Sequence, residues 1–317
     1  MSDKFQVGAL VAEVGCKLQG YLTVVNGALE LPITLINGKQ PGPTIVITGG
    51  THGGEYPGIE TSIRLAAELT PEDVSGRVAI VHPVNLPAFF AKQQYVIPED
   101  GRNLNRMFPG KALGTISERI AFVITTELHA QADFYVDLHG GDIHEALVPF
   151  VLYPAGCDPK VAERSRVAAS YLGVPYVVGS YSTNGTFGSA AARGVAGFLA
   201  EIGQCGRWSE PEVQQYLRGV KNVLKHLGVL AGQPERLASI TEMPRMVGVN
   251  AEQQGCWYPC VKVEEHVAEG QKVGEIRDFF GKVLGEYYAP VAGVILYVIT
   301  SLAINSGDPL IAVGPIA

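Results

Sequence analysis

The chain has 317 residues, of which 47% are hydrophobic and only 17% charged, with 38 Gly, 20 Pro and a formal net charge of −7. The apolar fraction excludes a disordered chain, and the lack of about 18 consecutive uncharged apolar residues excludes a membrane-spanning helix. Net negative charge without a Lys/Arg block argues against nucleic acid or an anionic membrane as partner. The opening MSDKFQVGAL has no basic region leading into an apolar core, so no secretory leader is expected. The five cysteines (Cys16, Cys157, Cys205, Cys256, Cys260) are odd in number and scattered, which suits a reducing cytoplasm. Cys256 and Cys260 bracket Trp257 at C-x3-C, but no second Cys/His pair at finger spacing follows, so they read as ordinary thiols.

In chain order, Thr44–Ile47 is a short apolar run ending in Gly49-Gly50 and reads as a buried strand. Pro57 opens a helix with Ile59, Ile63, Ala66 and Ala67 as its apolar stripe. Val78–Val81 is a strand, and Thr115 with Glu118 forms a capping box before a helix carrying Ile120, Val123, Ile124 and Leu128. Phe134–Val136 is a strand running into Asp137-Leu138-His139, and Val148–Leu152 and Pro175–Val178 flank a helix opened by Asp158-Pro159. Val195–Ile202 leads to a second capping box, Ser209-x-x-Glu212, and a helix with Val213, Leu217, Val220 and Leu224. Strands alternating with helices predict an α/β domain over residues 1–232 with a largely parallel or mixed sheet. Residues 233–245 are polar, contain Pro and lack a period, as a linker does. Residues 246–317 show short β segments punctuated by Gly270, Gly274, Gly285, Gly293 and Gly307, so a small all-β domain is expected there.

In open α/β sheets functional groups gather beyond the C-terminal ends of strands. Three polar clusters sit at such ends: GGTHGGEYPG with His52 and Glu55, DLHGGD with His139, and FLAEIG with Glu201. Two imidazoles and a carboxylate form the ligand set of a catalytic zinc with one position left for water. The Gly-rich turn gives His52 and Glu55 the backbone freedom to converge, and Asp137 or Asp142 is placed to orient a ligating His. Glu201 then serves as general base toward water and as general acid toward a leaving amine. His82, His129, His144 and His226 lack such a context and read as ordinary histidines.

Taken in order, GGTHGGEYPG, NLNRMFPG, DLHGG and AEIG resemble the succinylglutamate desuccinylase/aspartoacylase family, along nearly the whole chain. The resemblance implies a zinc-carboxypeptidase-like mixed sheet with flanking helices and a small β domain at the end. It also implies one Zn2+ per chain held by His52, Glu55 and His139, with Glu201 as the catalytic carboxylate and Asn105-Arg106 binding a substrate carboxylate through the bidentate fork of Arg. Many relatives carry a further Arg before the P-x-D-G turn. Here that stretch reads AKQQYVIPEDG, with Gln94 and Tyr95 near the expected place and Arg102 or Lys92 as other sources of charge. A preference for a dicarboxylic substrate therefore does not carry over.

The segment STNGTFGSAAARG is similar to the family's variable pocket lining, with Ser182, Thr183, Asn184, Thr186 and Arg193 as contacts or loop formers. The last residues also resemble a biotinyl/lipoyl barrel-sandwich, in EGQKVGEI and YYAPVAGVI. Lys282 lies between Gly281 and Val283 instead of the Met residues of a biotin-accepting turn, so a structural domain at the pocket mouth or an oligomer interface is expected. The expected activity is zinc-dependent hydrolysis of the amide of a small N-acyl amino acid or related N-acylated amine by metal-bound water. A zinc carboxypeptidase acting on peptide ends, an N-acetyl-diamino-acid deacetylase and a catalytically silent small-molecule binding protein stand as alternatives. The family resemblance adds a homo-oligomer of two or four chains.

Overall fold

The computed structural model describes residues 4–25, 28–237 and 239–316. Nine strands form one mixed sheet in the order Thr241–Met243, Tyr176–Ser180, Phe150–Pro154, Ala196–Glu201, Phe134–His139, Gln40–Gly49, Ser75–Val81, Leu29–Asn37 and Cys16–Val25. The strand pairs that carry the strand-end motifs, Ala196–Glu201 with Phe134–His139 and Phe134–His139 with Gln40–Gly49, are parallel. The antiparallel pairs lie between Phe150–Pro154 and Ala196–Glu201 and among the last three strands of the series. Among the described residues no helix is long and apolar enough to cross a membrane.

Side chains of a strand alternate between faces, and both faces of this sheet are covered, so its inner strands are apolar at almost every position. Ile45, Ile47, Phe134, Val136, Leu138, Phe198 and Ala200 pack under the helices Tyr56–Glu68, Pro159–Ala169 and Glu210–His226. Val46, Tyr135 and Leu199 point the other way. The same alternation puts Asp137, His139 and Glu201 on that second face, so the polar groups sit opposite the three large helices.

The helix after Pro57 forms as expected, but turned about its axis: Ile59, Ser62, Leu65 and Ala66 are buried while Ile63 is 43% exposed. Small residues set the contact. A Cβ on Gly58 would meet Leu138 O at 2.7 Å, so this helix lies with its backbone against the strand, and Ile63 is carried outward. Glu118 Oε2 accepts from Thr115 N at 2.9 Å before the helix Ile116–Val123, and Asp158 Oδ1 accepts from Lys160 N at 2.9 Å. Ser209 precedes Glu210–His226 but makes no cap bond; Glu210 instead takes a bidentate pair from Arg64 at 2.7 and 2.8 Å, tying that helix to Tyr56–Glu68.

Residues from Met246 onward are all β. One sheet runs Glu145–Leu147, Gly293–Ile299, Pro309–Pro315 and Val247–Asn250, with His266–Val267 also paired to Gly293–Ile299. The other runs Val283–Tyr288, Lys272–Arg277, Gly255–Pro259 and Ala303–Ile304. Trp257, Val273, Ile276, Ile295 and Ile311 fill the space between them. Two features join this part to the large sheet: Thr241–Met243, inside the stretch expected as a linker, adds an edge strand there, and Glu145–Leu147 crosses from the other direction.

One buried side chain secures the ends of the functional strands. Tyr216, fully buried on the last large helix, has its hydroxyl 2.5 Å from His139 O and 2.8 Å from Ala200 O, and accepts from Ile202 N at 3.1 Å. Removing that hydroxyl takes one donor, shared between two carbonyls, and one acceptor out of a dry site. Tyr216→Phe is expected to lower unfolding free energy by about 1–3 kcal/mol in a denaturant titration; no measurable change would mean that the backbone groups find other partners.

Candidate metal centre and active-site cavity

The Gln40–Gly49 strand ends in a turn through Gly50, whose φ of +74° an L side chain adopts only with strain. His52 follows in that turn, and Glu55 occupies the position before the helix without capping it, so its carboxylate is left to face the histidines. His139 is the last residue of its own strand. Glu55 Oε1 lies 2.6 Å from His52 Nδ1, and Glu55 Oε2 lies 2.9 Å from His139 Nδ1. The two imidazole centroids are 4.8 Å apart, nearly perpendicular at 87°. One donor atom from each of these three residues falls within 4.8 Å of the others, a set that could hold a metal ion.

The far nitrogens of both rings are spoken for. His52 Nε2 lies 3.1 Å from Asn103 Oδ1, and His139 Nε2 lies 3.0 Å from Asp137 Oδ2. Each partner accepts a proton, which fixes the Nε2–H tautomer and turns the Nδ1 lone pair inward. Asp137 is fully buried and also accepts from Thr48 Oγ1 at 2.7 Å, Thr51 Oγ1 at 3.2 Å and, in a short contact, Thr186 Oγ1. Asp142, the other residue considered for orienting a ligand, instead accepts from Ile143 N at 2.7 Å.

The electrostatics of these groups favour a positive charge among them. Burial acts to raise the Glu55 carboxyl, but His139 and His52 outweigh it and hold Glu55 below the ordinary carboxylate range. Burial acts to lower His139, yet Glu55 and Asp137 hold it well above an ordinary imidazole. Without a metal, then, a proton on His139 balances the buried carboxylates. Glu55 Oε2 is buried and lacks a hydrogen-bond donor despite the near imidazole, whose N–H does not aim at it. An orphaned carboxylate oxygen between two inward Nδ1 atoms fits a divalent cation, and the borderline-soft N/O set suits zinc.

Glu201 pairs in register with His139 on the neighbouring parallel strand, so the two side chains share a face. Burial, then Glu55, Glu145 and Asp137, push its carboxyl well above the usual range despite the opposing pull of His139. A cavity of about 560 Å³ opens over these groups, lined also by Tyr95, Asn103, Asn105, Arg106 and Ser182 and closed by Met246, Asn250, Tyr297 and Asp308 from the C-terminal β region. Asn105 is buried and its Oδ1 accepts from Thr186 N at 2.9 Å, while Arg106 is exposed and reaches Asn105 O at 3.0 Å. Tyr95 stands edge-on to His52 with centroids 6.1 Å apart.

Not every candidate residue arrives there. Arg102 lies off the cavity wall, its Nη1 3.8 Å from both Glu118 Oε1 and Met107 Sδ, because the Val96–Ile97 and Arg102–Asn103 hairpin turns it outward. Thr186 serves Asp137, and Arg193 folds back on Ser189 at 2.7 and 2.8 Å. Three wall residues carry no flag in the sequence. Asn103 opens the NLNR motif and orients His52; Glu145 and Tyr297 reach the cavity only through the pairing of Glu145–Leu147 with Gly293–Ile299.

Metal content per chain tests the centre. Elemental analysis of protein purified without chelator is expected to find about one zinc per chain, lost in His139→Ala. Asn103→Ala and Asp137→Asn are each expected to weaken zinc about 10–100-fold in a competition titration, as losses of orienting partners do.

Residues 41–227 match the model of the succinylglutamate desuccinylase/aspartoacylase catalytic domain. The chain is 31% identical over 299 residues to the N-alpha-acetyl-L-2,4-diaminobutyric acid deacetylase of Halomonas elongata, covering 92% of this chain and 87% of that one. It is similar to the crystal structure of a succinylglutamate desuccinylase/aspartoacylase from Rhodobacter sphaeroides, at 30% identity, TM-score 0.85 and 95% coverage of both chains. The product-bound ectoine utilization protein EutE (DoeB) from Ruegeria pomeroyi matches at 30% identity and TM-score 0.85, over 94% of this chain and 95% of that one. With the matched catalytic domain spanning His52, Glu55, His139 and the strand-end Glu201, this chain belongs to the succinylglutamate desuccinylase/aspartoacylase family.

Proposed function

We propose that this chain is a zinc-dependent deacylase that cleaves the amide of a small N-acyl amino acid into a carboxylate and a free amine. The observation that carries the reading is the convergence of His52, Glu55 and His139 beneath a cavity that also holds Glu201 and Arg106. Zinc held by the three ligands supplies Lewis acidity, lowering the pKa of water and polarising an acyl carbonyl. Arg106, whose Nη1 donates to Asn105 O at 3.0 Å, takes the substrate carboxylate and holds the amide beside His52, Glu55 and His139. Glu201 accepts a proton from the attacking water and returns it to the departing nitrogen; its raised proton affinity equips one carboxyl for both transfers. Asn103 and Asp137 keep both imidazoles in the metal-binding tautomer throughout.

Met246, Asn250, Tyr297 and Asp308 of the C-terminal β region line the cavity, and we read this wall as favouring a small substrate over a peptide end. Acetyl is the acyl group to try first, and N-acetyl-2,4-diaminobutyrate the first compound, on the likeness to the Halomonas elongata enzyme. The five cysteines are unpaired, consistent with our placing the enzyme in the cytoplasm.

Release of amine from a panel of N-acetyl amino acids tests the reading. Glu201→Gln is expected to lower kcat by about 10²–10⁴-fold with zinc retained. Arg106→Ala is expected to cost about 10–100-fold in kcat/KM, as loss of a charge-assisted pair does. A zinc-loaded parent that releases no amine from any N-acyl amino acid, while binding them, would turn the reading to a binding protein.

A further inference from the structure

The face of the Phe134–His139 strand that carries Asp137 and His139 carries one more polar group, which the proposed chemistry leaves unused. Tyr135 is fully buried two residues before Asp137 on that face. Its strand pairs in parallel with Gln40–Gly49, with Val46 beside Tyr135 and Thr48 beside Asp137. The phenol leans along the sheet, and its hydroxyl oxygen lies 2.6 Å from Thr48 Oγ1. Thr48 Oγ1 in turn donates to Asp137 Oδ1 at 2.7 Å, and Asp137 Oδ2 lies 3.0 Å from His139 Nε2. Two neighbouring strands thus share one line of hydrogen bonds that ends on the imidazole facing Glu55.

Proton counting sets the direction of that line. A carboxylate only accepts, so Thr48 spends its single proton on Asp137. In the bond between the two hydroxyls Tyr135 is therefore the donor and Thr48 the acceptor. Burial and the charge of Asp137 push the Tyr135 phenol well above its ordinary value, so it keeps the proton that it donates. The ring packs in an apolar stack, with its centroid 4.4 Å from that of His129, which lies 6.0 Å from that of Phe108. His129 is buried with neither ring nitrogen hydrogen-bonded, and burial lowers it to about 4, so it stays neutral and brings no rival charge. A threonine has few χ1 choices, and the proton from Tyr135 favours the one that serves Asp137.

We infer that Tyr135 is a positioning residue for His139: by donating to Thr48 it keeps that hydroxyl on Asp137, and Asp137 then fixes the imidazole that presents Nδ1 to the metal centre. For its effect on metal this rests on His52, Glu55 and His139 holding zinc, as proposed above. A tyrosine that only filled the core would act on stability alone. One that acts through Thr48 alters how His139 is held, and its effect vanishes once the Thr48 hydroxyl is gone.

Two readouts without turnover test this: zinc affinity by competition titration, and the His139 Nε2–H proton by NMR of metal-free protein carrying isotope-labelled histidine. The signal is identified by its loss in His139→Ala. Thr48→Val is expected to weaken zinc about tenfold, and Tyr135→Phe, one bond further out, about 3–10-fold. The double variant is expected to lose no more than Thr48→Val alone, and Thr48→Ser, which keeps the hydroxyl, to stay within about twofold of the parent. The Nε2–H signal is expected to move in Tyr135→Phe. An unmoved signal or an unchanged zinc affinity in folded Tyr135→Phe, or losses that multiply in the double variant, would overturn the role. Should the Thr48 variants fold poorly, Tyr135→Phe decides by the two readouts alone. If the parent takes up no zinc but the signal moves, the metal proposal fails and the positioning of His139 stands. Zinc uptake by the parent with an unmoved signal leaves the reverse.

Discussion

A carboxylate shut away from water must find its donors inside the protein, and Asp137 finds four, from Thr48, Thr51, Thr186 and His139. The donors come from the strand before the His52 turn, from that turn itself, from the short helix Thr186–Ala191, and from the imidazole of His139. One buried charge therefore fixes three chain segments and one imidazole at once. Removing any donor leaves the charge underpaid in hydrogen bonds, and removing the charge frees the ring. The rest of the centre inherits its geometry from that knot. His139 presents Nδ1 to Glu55, Glu55 presents its other oxygen to His52, and Asn103 closes the series on the opposite side.

The strand alternation explains why the knot sits where chemistry is possible. On the Phe134–His139 strand, Phe134, Val136 and Leu138 go beneath the large helices, while Tyr135, Asp137 and His139 go to the face under the cavity. Parallel pairing in register then brings Glu201 alongside His139, and Tyr216 holds the two strand ends from the helix side. Burial that would be a liability for an isolated Glu here raises its affinity for a proton, which suits the acid–base role we propose for it.

How much of this is legible from the residues alone depends on the range of the interaction. His52, Glu55, His139 and Glu201 stand next to apolar runs, so their place at strand ends can be read locally. The α/β body followed by a β region is legible for the same reason, because periodicity changes along the chain. The strands Cys16–Val25 and Leu29–Asn37 are not, since the former mixes exposed and half-buried positions and carries little pattern. Asn103 is hidden inside a motif whose next Asn and Arg attract the attention. Glu145 looks like any polar-loop glutamate until a strand nearly 150 residues later pairs beside it. Arg102 misleads in the opposite sense: its charge suits the site, but a two-residue strand directs it outward. Ile63 misleads too, because a stripe read from side-chain size assumes contact through side chains, whereas Gly58 brings the helix backbone itself to the sheet.

The Glu145–Leu147 strand has a further consequence for how the molecule is divided. It belongs by sequence to the α/β part and by hydrogen bonding to the β part, pairing Glu145 with Ile299 and Leu147 with Tyr297. A chain cut near residue 245 would expose the free edge of that strand, with unsatisfied amides and carbonyls in a row beside an opened apolar surface. The β region is thus hydrogen-bonded to a strand that the body supplies. As a hydrogen-bonded unit it is therefore discontinuous in sequence, and its borrowed strand brings with it Glu145, a residue of the cavity wall.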